Sequence, residues 1–190
     1  AGKRAMVVGS AGDLGKAMVE AISQAGAHTV IIDFDEWVFG LCEQFKKNGL
    51  QVDAIRADVS KISEIKASYE TALELLGGKI DILINSAGIQ RRYPSEDFPD
   101  EEWSKVIAIN LDATFYYCKY VANNMLKHGG GKIINIASLM SFLGGITIPA
   151  YAASKGGVGQ LTKALSNDWA AKGICVNAIA PGYMDTQLNT

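Results

Sequence analysis

Tyr151 and Lys155 are the residues of this sequence best suited to proton transfer. Their spacing of four predicts that a helix presents phenol and ammonium on one face. A phenol with a pKa near 10 becomes an effective base at neutral pH only after a shift of about 4 kcal/mol. At about 5 Å and an effective dielectric near 20, Lys155 contributes roughly 3 kcal/mol. Because chance produces such pairs easily, the interpretation of Tyr151 as a catalytic base depends on its neighbours.

Two further polar residues stand where packing favours apolar ones. Ser138 closes the apolar run GKIINIAS, where its hydroxyl can hold a substrate oxygen beside Tyr151. The buried face predicted for another helix contains an amide, in the set Trp103, Ile107, Asn110, Ala113 and Tyr117. A buried amide must find hydrogen-bond partners. A helix or turn cap remains the alternative for Ser138, and a satisfied core amide the alternative for Asn110.

A glycine-rich turn, Gly9-Ser10-Ala11-Gly12-Asp13-Leu14-Gly15, follows the first apolar run and opens into a helical pattern. Such a turn lets the backbone approach a pyrophosphate, which a helix N-terminus attracts. Asp33 ends the next apolar run, where a carboxylate accepts hydrogen bonds from both hydroxyls of an adenosine ribose. The same carboxylate repels a 2′-phosphate, and neither Phe34 nor the turn supplies a cation. We therefore predict NAD rather than NADP, with a plain tight turn and a capping aspartate as alternatives.

The candidate residues lie at the ends of short apolar runs that alternate with helical patterns. The runs are RAMVVG, HTVIID, QVDAIRAD, KIDILINSAG, GKIINIAS and GICVNAIAP. Runs this apolar, without polar alternation, predict a parallel sheet covered by helices on both faces, which is the doubly wound α/β (Rossmann) fold. At 190 residues and 48% hydrophobic content, one domain over residues 1–190 is expected. Ligands of this fold bind beyond the carboxyl ends of the strands, where the candidates stand.

Composition excludes several other functions. The 18 Lys and Arg are scattered and nearly balanced by 20 Asp and Glu, so neither a nucleic acid nor a membrane surface is an expected partner. No apolar stretch reaches the roughly 20 residues of a membrane helix, and a cytoplasmic protein is predicted. The three cysteines are far apart and the two histidines isolated, so neither a disulfide framework nor a metal site is predicted. A small-molecule substrate remains.

Taken together, these motifs resemble the short-chain dehydrogenases/reductases from the first strand to the last residue. The motifs are the glycine turn, Asn85-Ser86-Ala87-Gly88, Asn110, Ser138, Tyr151-x-x-x-Lys155 and Pro181-Gly182-Tyr183-Met184-Asp185-Thr186. The resemblance implies that Tyr151 accepts the alcohol proton, while Lys155 lowers its pKa and binds the nicotinamide ribose. It also implies that Ser138 orients the substrate oxygen and that Asn110 holds a relay water.

For the cofactor, the resemblance implies a set of contacts that runs through the whole chain. Asp58 and Val59 would flank the adenine, and Thr186 would bind the carboxamide. The complete set is Gly9, Gly12, Asp13, Leu14, Gly15, Asp33, Asp58, Val59, Asn85, Ala87, Gly88, Tyr151, Lys155, Pro181, Gly182, Met184 and Thr186.

Closer similarity within that family concerns the substrate. The segments GIQRR, DFPDEEW and VNAIAPGYMDT are similar to those of 2-deoxy-D-gluconate 3-dehydrogenases and 2-dehydro-3-deoxy-D-gluconate 5-dehydrogenases, and partly to gluconate 5-dehydrogenases. This implies oxidation of a secondary hydroxyl on a sugar acid, held by Ser138 and Tyr151. Arg91 and Arg92 can offer guanidinium groups to its carboxylate. An exposed basic loop, or contacts to a neighbouring subunit, is the alternative.

Two departures from the family pattern bear on function. Asp13 stands where many members have glycine, and its carboxylate suits a helix dipole but competes with a pyrophosphate for the same N–H groups. The resemblance also stops just after Thr186, where relatives continue into a segment that covers the pocket and supplies an interface of the usual tetramer. A homo-oligomer is nevertheless expected. A non-catalytic nucleotide-binding or interaction module is the alternative of another class.

Overall fold

The computed structural model describes residues 1–184, and the predicted cofactor contact Thr186 lies outside them. Within residues 1–184, six strands alternate with helices. The strands are β1 (Arg4–Val8), β2 (His28–Asp33), β3 (Val52–Arg56), β4 (Ile82–Asn85), β5 (Gly131–Ile136) and β6 (Ile174–Ile179). The helices are α1 (Asp13–Gln24), α2 (Trp37–Lys47), α3 (Ile62–Leu75), α4 (Asp100–Ile107), α5 (Ala113–Lys127) and α6 (Pro149–Trp169). Each predicted apolar run contains one of these strands.

All six strands are parallel and form one sheet in the order β3-β2-β1-β4-β5-β6. The predicted doubly wound α/β fold is therefore confirmed. The strand order reverses direction at β1, which pairs with β2 on one side and β4 on the other. Beyond the carboxyl ends of these strands a crevice opens, which is where sheets of this kind bind ligands.

The central strand β1 shows why the apolar runs lack polar alternation. Met6 and Val8 pack into a core beneath α3 and α5, whereas Val7 packs into a second core against α2. Each of the three is at most 1% exposed. Because both faces of the strand are buried, every position needs an apolar side chain.

The buried face predicted from Trp103 to Tyr117 is only partly correct. Asn110 and Tyr117 are fully buried, but Trp103 is 42% exposed and Val106 is buried in its place. A π-helical turn at Ala108–Asp112 joins α4 to α5. A π turn is wider than an α turn, so the 3.6-residue period does not continue across it.

No helix within residues 1–184 is both long and apolar enough to cross a membrane.

Candidate active site

A cleft of about 730 Å³ lies beyond the carboxyl ends of β1, β4 and β5. It brings together residues that are up to 175 positions apart in the chain. The predicted site residues that line it are Gly9, Gly12, Asp13, Leu14, Gly15, Gly88, Arg92, Ser138, Tyr151, Lys155, Pro181, Gly182 and Met184. The glycine turn and the Tyr-x-x-x-Lys pair therefore share one cavity.

The start of α6 places Tyr151 and Lys155 on one buried face, with Pro149 at the first helical position. Lys155 Nζ donates to the backbone oxygen of Ile136, at the end of β5, at 2.6 Å. It lies 5.8 Å from the centre of the Tyr151 ring. Burial lowers the pKa of Lys155 to about 8, so most of this ammonium remains charged at neutral pH.

The phenol of Tyr151 is in an environment that opposes its ionisation. Burial raises the pKa of Tyr151, and a hydrogen bond with Ser138 lowers it by a smaller amount. Lys155 Nζ is directed to the backbone oxygen of Ile136 and lies over the Tyr151 ring. Its role in lowering the pKa of Tyr151 stays a prediction. At neutral pH the hydroxyl is protonated.

Ser138 combines the two roles that its sequence position left open. It precedes a 3-10 turn, Leu139–Ser141, and its Oγ accepts a hydrogen bond from Met140 N at 3.2 Å. Ser141 completes the cap by accepting from Ser138 N at 3.3 Å. The same Ser138 hydroxyl lines the cleft beside Tyr151. The cap fixes the backbone that carries the hydroxyl.

Asn110 is fully buried in the π turn and does not line the cleft. Its Oδ1 accepts from Ile89 N at 2.9 Å, and its Nδ2 donates to Ile89 O and Ser154 Oγ, each at 3.0 Å. Both amide donors are therefore used within the fold, as a satisfied core amide requires. The amide ties the loop after β4 to α6. Its role in holding a relay water stays a prediction.

Gly88 allows Asn110 and Lys155 to approach the loop after β4 closely. A Cβ on Gly88 would lie 3.5 Å from Lys155 Nζ and 3.6 Å from Asn110 Oδ1. A larger side chain would separate the two groups from the loop. The glycine thus lets the loop after β4 pack closely against Lys155 and Asn110.

The glycine turn meets the requirements of a phosphate-binding loop. Gly9 has a φ of +79°, and a Cβ there would overlap the backbone of Ala87. A Cβ on Gly15 would overlap the carbonyl oxygen of Gly9. Gly12, the residue that precedes the 12-residue helix α1, supplies no side-chain cap and lines the cleft. These residues fit the pyrophosphate of a dinucleotide.

Asp33 is anchored beside this turn. Its Oδ2 accepts from Ala11 N at 2.8 Å and its Oδ1 from Asp35 N at 3.1 Å. The register of the sheet places Arg56 opposite Asp33. Arg56 Nε donates to Phe34 O at 3.0 Å, and its guanidinium lies 5.5 Å from the centre of the Phe34 ring. A cation therefore stands next to the predicted ribose site. The residues adjacent to Asp33 in the sequence do not indicate this cation, because it comes from the neighbouring strand β3.

Several predicted cofactor contacts have side chains directed elsewhere. Asn85 is buried inside the sheet, where its Nδ2 donates to Asn135 Oδ1 at 2.9 Å and to Cys118 Sγ at 3.3 Å. Its side chain joins β4 to β5, and its predicted place along the cofactor stays a prediction. The backbone of Ala87 packs against Gly9, and Ala87 does not line the cleft.

The predicted adenine pair is likewise engaged within the fold. Val59 is 7% exposed and belongs to the core. Asp58 Oδ1 accepts from Ser60 N at 3.0 Å and from Ser60 Oγ at 2.7 Å, and Asp58 Oδ2 lies 3.2 Å from Lys61 Nζ. Both residues follow β3 at the ligand edge of the sheet, but neither lines the cleft. Their contact with adenine stays a prediction.

The two predicted substrate arginines are separated by the fold. Arg91 Nε donates to Glu102 Oε2 at 2.8 Å, and Arg91 does not line the cleft. Arg92 does line it, next to Gln90. Sequence reasoning also missed the apolar wall of the cleft, which is formed by Leu139, Met140, Ile146, Ile148 and Tyr183. No pattern in the sequence marked those residues.

Within residues 1–184, no group of three His, Cys, Asp or Glu side chains is arranged to hold a metal ion.

Comparison with known proteins places the chain among dehydrogenases. Residues 3–190 match the family described as short chain dehydrogenase. The chain is 44% identical to the 2-dehydro-3-deoxy-D-gluconate 5-dehydrogenase of Bacillus subtilis, over 97% of this chain and 72% of that protein. It is 40% identical to the 5-keto-D-gluconate 5-reductase of Escherichia coli, over 99% of this chain and 74% of that protein.

A solved structure supports the same relationship. The gluconate 5-dehydrogenase of Burkholderia cenocepacia, crystallised with NADP and tartrate, is 41% identical and superposes with a TM-score of 0.92. The match covers 99% of this chain and 74% of that one.

Proposed function

The chain belongs to the short-chain dehydrogenases, and from this premise we propose that it transfers hydride between a secondary hydroxyl of a sugar acid and NAD. The observation that carries the proposal is one cleft that holds Ser138, Tyr151 and Lys155 beside a phosphate-binding turn. The sugar-acid substrate is supported by the names of the relatives, which act on gluconate derivatives. The 2-dehydro-3-deoxy-D-gluconate type is the first candidate, and gluconate 5-dehydrogenase activity is the alternative.

In this proposal Tyr151 accepts the proton of the substrate hydroxyl, and Ser138 holds the oxygen of that hydroxyl. A bound oxidised nicotinamide supplies the hydride acceptor. Since burial raises the pKa of Tyr151, positive charge beside the phenolate is required for proton transfer at neutral pH. The Lys155 ammonium is the nearby cation that the protein contributes. Because burial raises the pKa of Tyr151, we expect oxidation to be faster above neutral pH, where more of the phenol is ionised.

The proposed reaction is tested with a panel of sugar acids and NAD⁺, following the absorbance of the reduced nicotinamide. Replacing Tyr151 with Phe keeps the ring and removes the proton acceptor, and we expect kcat to fall by at least about 100-fold. Tyr93→Phe, on an exposed ring packed against Phe98, is the control. Turnover within a few fold of the wild type in Tyr151→Phe would refute the assignment. Binding of NAD⁺ without turnover of any sugar acid would favour a nucleotide-binding module.

The choice of NAD over NADP is proposed from the carboxylate of Asp33, which stands at the end of β2 beside the glycine turn. Arg56 opposes this preference, because its guanidinium can reach toward a 2′-phosphate. We expect Asp33→Ala, combined with Phe34→Arg, to lower the NAD to NADP ratio of kcat/KM at least tenfold. Arg56→Met should lower kcat/KM with NADP and leave kcat/KM with NAD unchanged. An unchanged ratio in both variants would refute the ribose assignment.

We extend the proposal to a homo-oligomer in the cytoplasm. Cys42, Cys118 and Cys175 are free thiols, as a reducing compartment maintains them. In support of the oligomer, an apolar ring is exposed on α5: Phe115 is 39% exposed and contacts Tyr116 edge to face. Light scattering of the purified chain measures its assembly, and a monomer at all concentrations would refute the oligomer.

A further inference from the structure

The two neighbouring arginines at the cleft have opposite electrostatic surroundings. Arg91 forms an ion pair with Glu102, so its charge is balanced within the fold. Arg92 lines the cleft, and no carboxylate within residues 1–184 forms an ion pair with it. Of these two arginines, Arg92 is the one whose charge an incoming anion can neutralise.

A neutral side chain holds Arg92 instead. With its amide oxygen facing the guanidinium, Gln90 Oε1 accepts hydrogen bonds from Arg92 Nε at 2.9 Å and Nη2 at 2.8 Å. The reverse amide orientation would set donors against donors. Gln90 therefore fixes the direction of the guanidinium without adding negative charge.

These two hydrogen bonds leave a defined part of the guanidinium for a ligand. Arginine has five N–H groups, and the bonds to Gln90 use one on Nε and one on Nη2. The remaining three include the pair on Nη1 and Nη2 that can bind a carboxylate with two parallel hydrogen bonds. Gln90 also lines the cleft, so the guanidinium is held at the wall that a substrate would meet.

The segment that carries the pair is tied to the catalytic residues at both ends. The Asn110 side chain holds both backbone groups of Ile89. Tyr93 N donates at 3.0 Å to the carbonyl of Thr147, which has a left-handed backbone with a φ of +64° just before α6. The position of Arg92 relative to Tyr151 is therefore set by the fold.

We propose that Gln90 is a positioning residue that aims Arg92 at the carboxylate of the sugar acid and so sets the preference for acids over neutral polyols. The inference rests on the proposed function and concerns a residue for which the sequence indicated no role.

The test compares the best sugar acid of the panel with the polyol in which CH₂OH replaces its carboxylate. Gln90→Met keeps the side-chain length and removes the acceptor, so we expect KM for the acid to rise about tenfold while kcat stays within about threefold. The rate with the polyol should not change. Gln90→Glu keeps the acceptor but neutralises the guanidinium, so KM for the acid should rise further. Arg91→Met, on the same loop but outside the cleft, is the matched control.

A second readout does not depend on turnover. Phenylglyoxal modifies accessible guanidinium groups, and peptide mass spectrometry separates Arg91 from Arg92. We expect Gln90→Met to accelerate the modification of Arg92 several-fold and to leave that of Arg91 unchanged. Added sugar acid should protect Arg92 in the wild type.

The outcomes separate the two proposals. If the wild type oxidises no sugar acid, the proposed function is wrong, and the modification rates alone decide whether Gln90 holds Arg92. The positioning role is wrong if Arg92→Met no longer oxidises the acid while Gln90→Met has the wild-type KM for the acid and the wild-type modification rate of Arg92. If Arg92→Met also has the wild-type KM for the acid, neither Arg92 nor Gln90 contributes to substrate binding.

Discussion

Replacing Lys155 with Met tests how the buried ammonium affects folding. Burial lowers the pKa of Lys155 from 10.5 to about 8, which corresponds to a penalty of about 3 kcal/mol for keeping the charge in the folded chain. Methionine has a similar length and removes the charge. It also removes the hydrogen bond to Ile136 O, which offsets part of the gain at neutral pH.

The pH dependence isolates the charge from that lost hydrogen bond. Below pH 8 both the folded and the unfolded wild type hold the proton, so the full penalty applies. Between pH 8 and 10.5 the unfolded chain binds more protons than the folded one, and the free energy of unfolding of the wild type rises with pH. The variant lacks this contribution. We therefore expect the stability of Lys155→Met relative to wild type to fall by about 2 kcal/mol between pH 7 and pH 10.

Urea unfolding at a series of pH values measures this difference, because groups common to both chains cancel. Lys163→Met, which removes an exposed lysine of the same helix, controls for the loss of a lysine as such. A difference between Lys155→Met and wild type that stays constant from pH 7 to pH 10 would refute the assignment of a buried, destabilised ammonium.

Three further substitutions test the packing around the site. Gly15→Ala places a methyl group on the carbonyl of Gly9, so we expect thermal and urea unfolding to show a loss of at least about 2 kcal/mol. Gly12→Ala meets no atom within 4 Å, and it should change the stability by less than about 0.5 kcal/mol while weakening NAD⁺ binding in calorimetry. Tyr117→Phe removes a buried hydrogen bond of 2.7 Å to Ser68, and should cost about 1 kcal/mol of stability without changing kcat. The packing described would be contradicted if the two glycine variants were equally stable, or if Tyr117→Phe were as stable as the wild type.

The strands and their parallel arrangement could be predicted because parallel strands buried on both faces leave uninterrupted apolar runs. Ser138 stands out for the same reason, since a hydroxyl that closes such a run needs a chemical or capping explanation. The capping explanation holds in the structure, and the same residue lines the cleft, where its chemical role is proposed. The pairing of Tyr151 with Lys155 followed from helical period alone.

Predictions that assumed a regular period or a side-chain direction were less accurate. Trp103 is exposed because a π turn interrupts the helix, and no residue type marks such a turn. Asn85 points into the sheet rather than the cleft, because Asn135 on the neighbouring strand offers it a partner. Strand pairing also brings Arg56 to Asp33, which weakens a cofactor argument based on adjacent residues.

Local period and residue type were enough to predict the fold class, the edge of the sheet at which the candidate residues lie and the residues proposed for proton transfer. The protonation equilibria and the directions of those side chains depend on the folded structure. Burial raised the pKa of Tyr151 and lowered that of Lys155. It also decided that Glu102 neutralises one arginine while Gln90 aims the other at the cleft. Charge and direction depend on partners brought together by folding, and neither can be read from spacing along the chain.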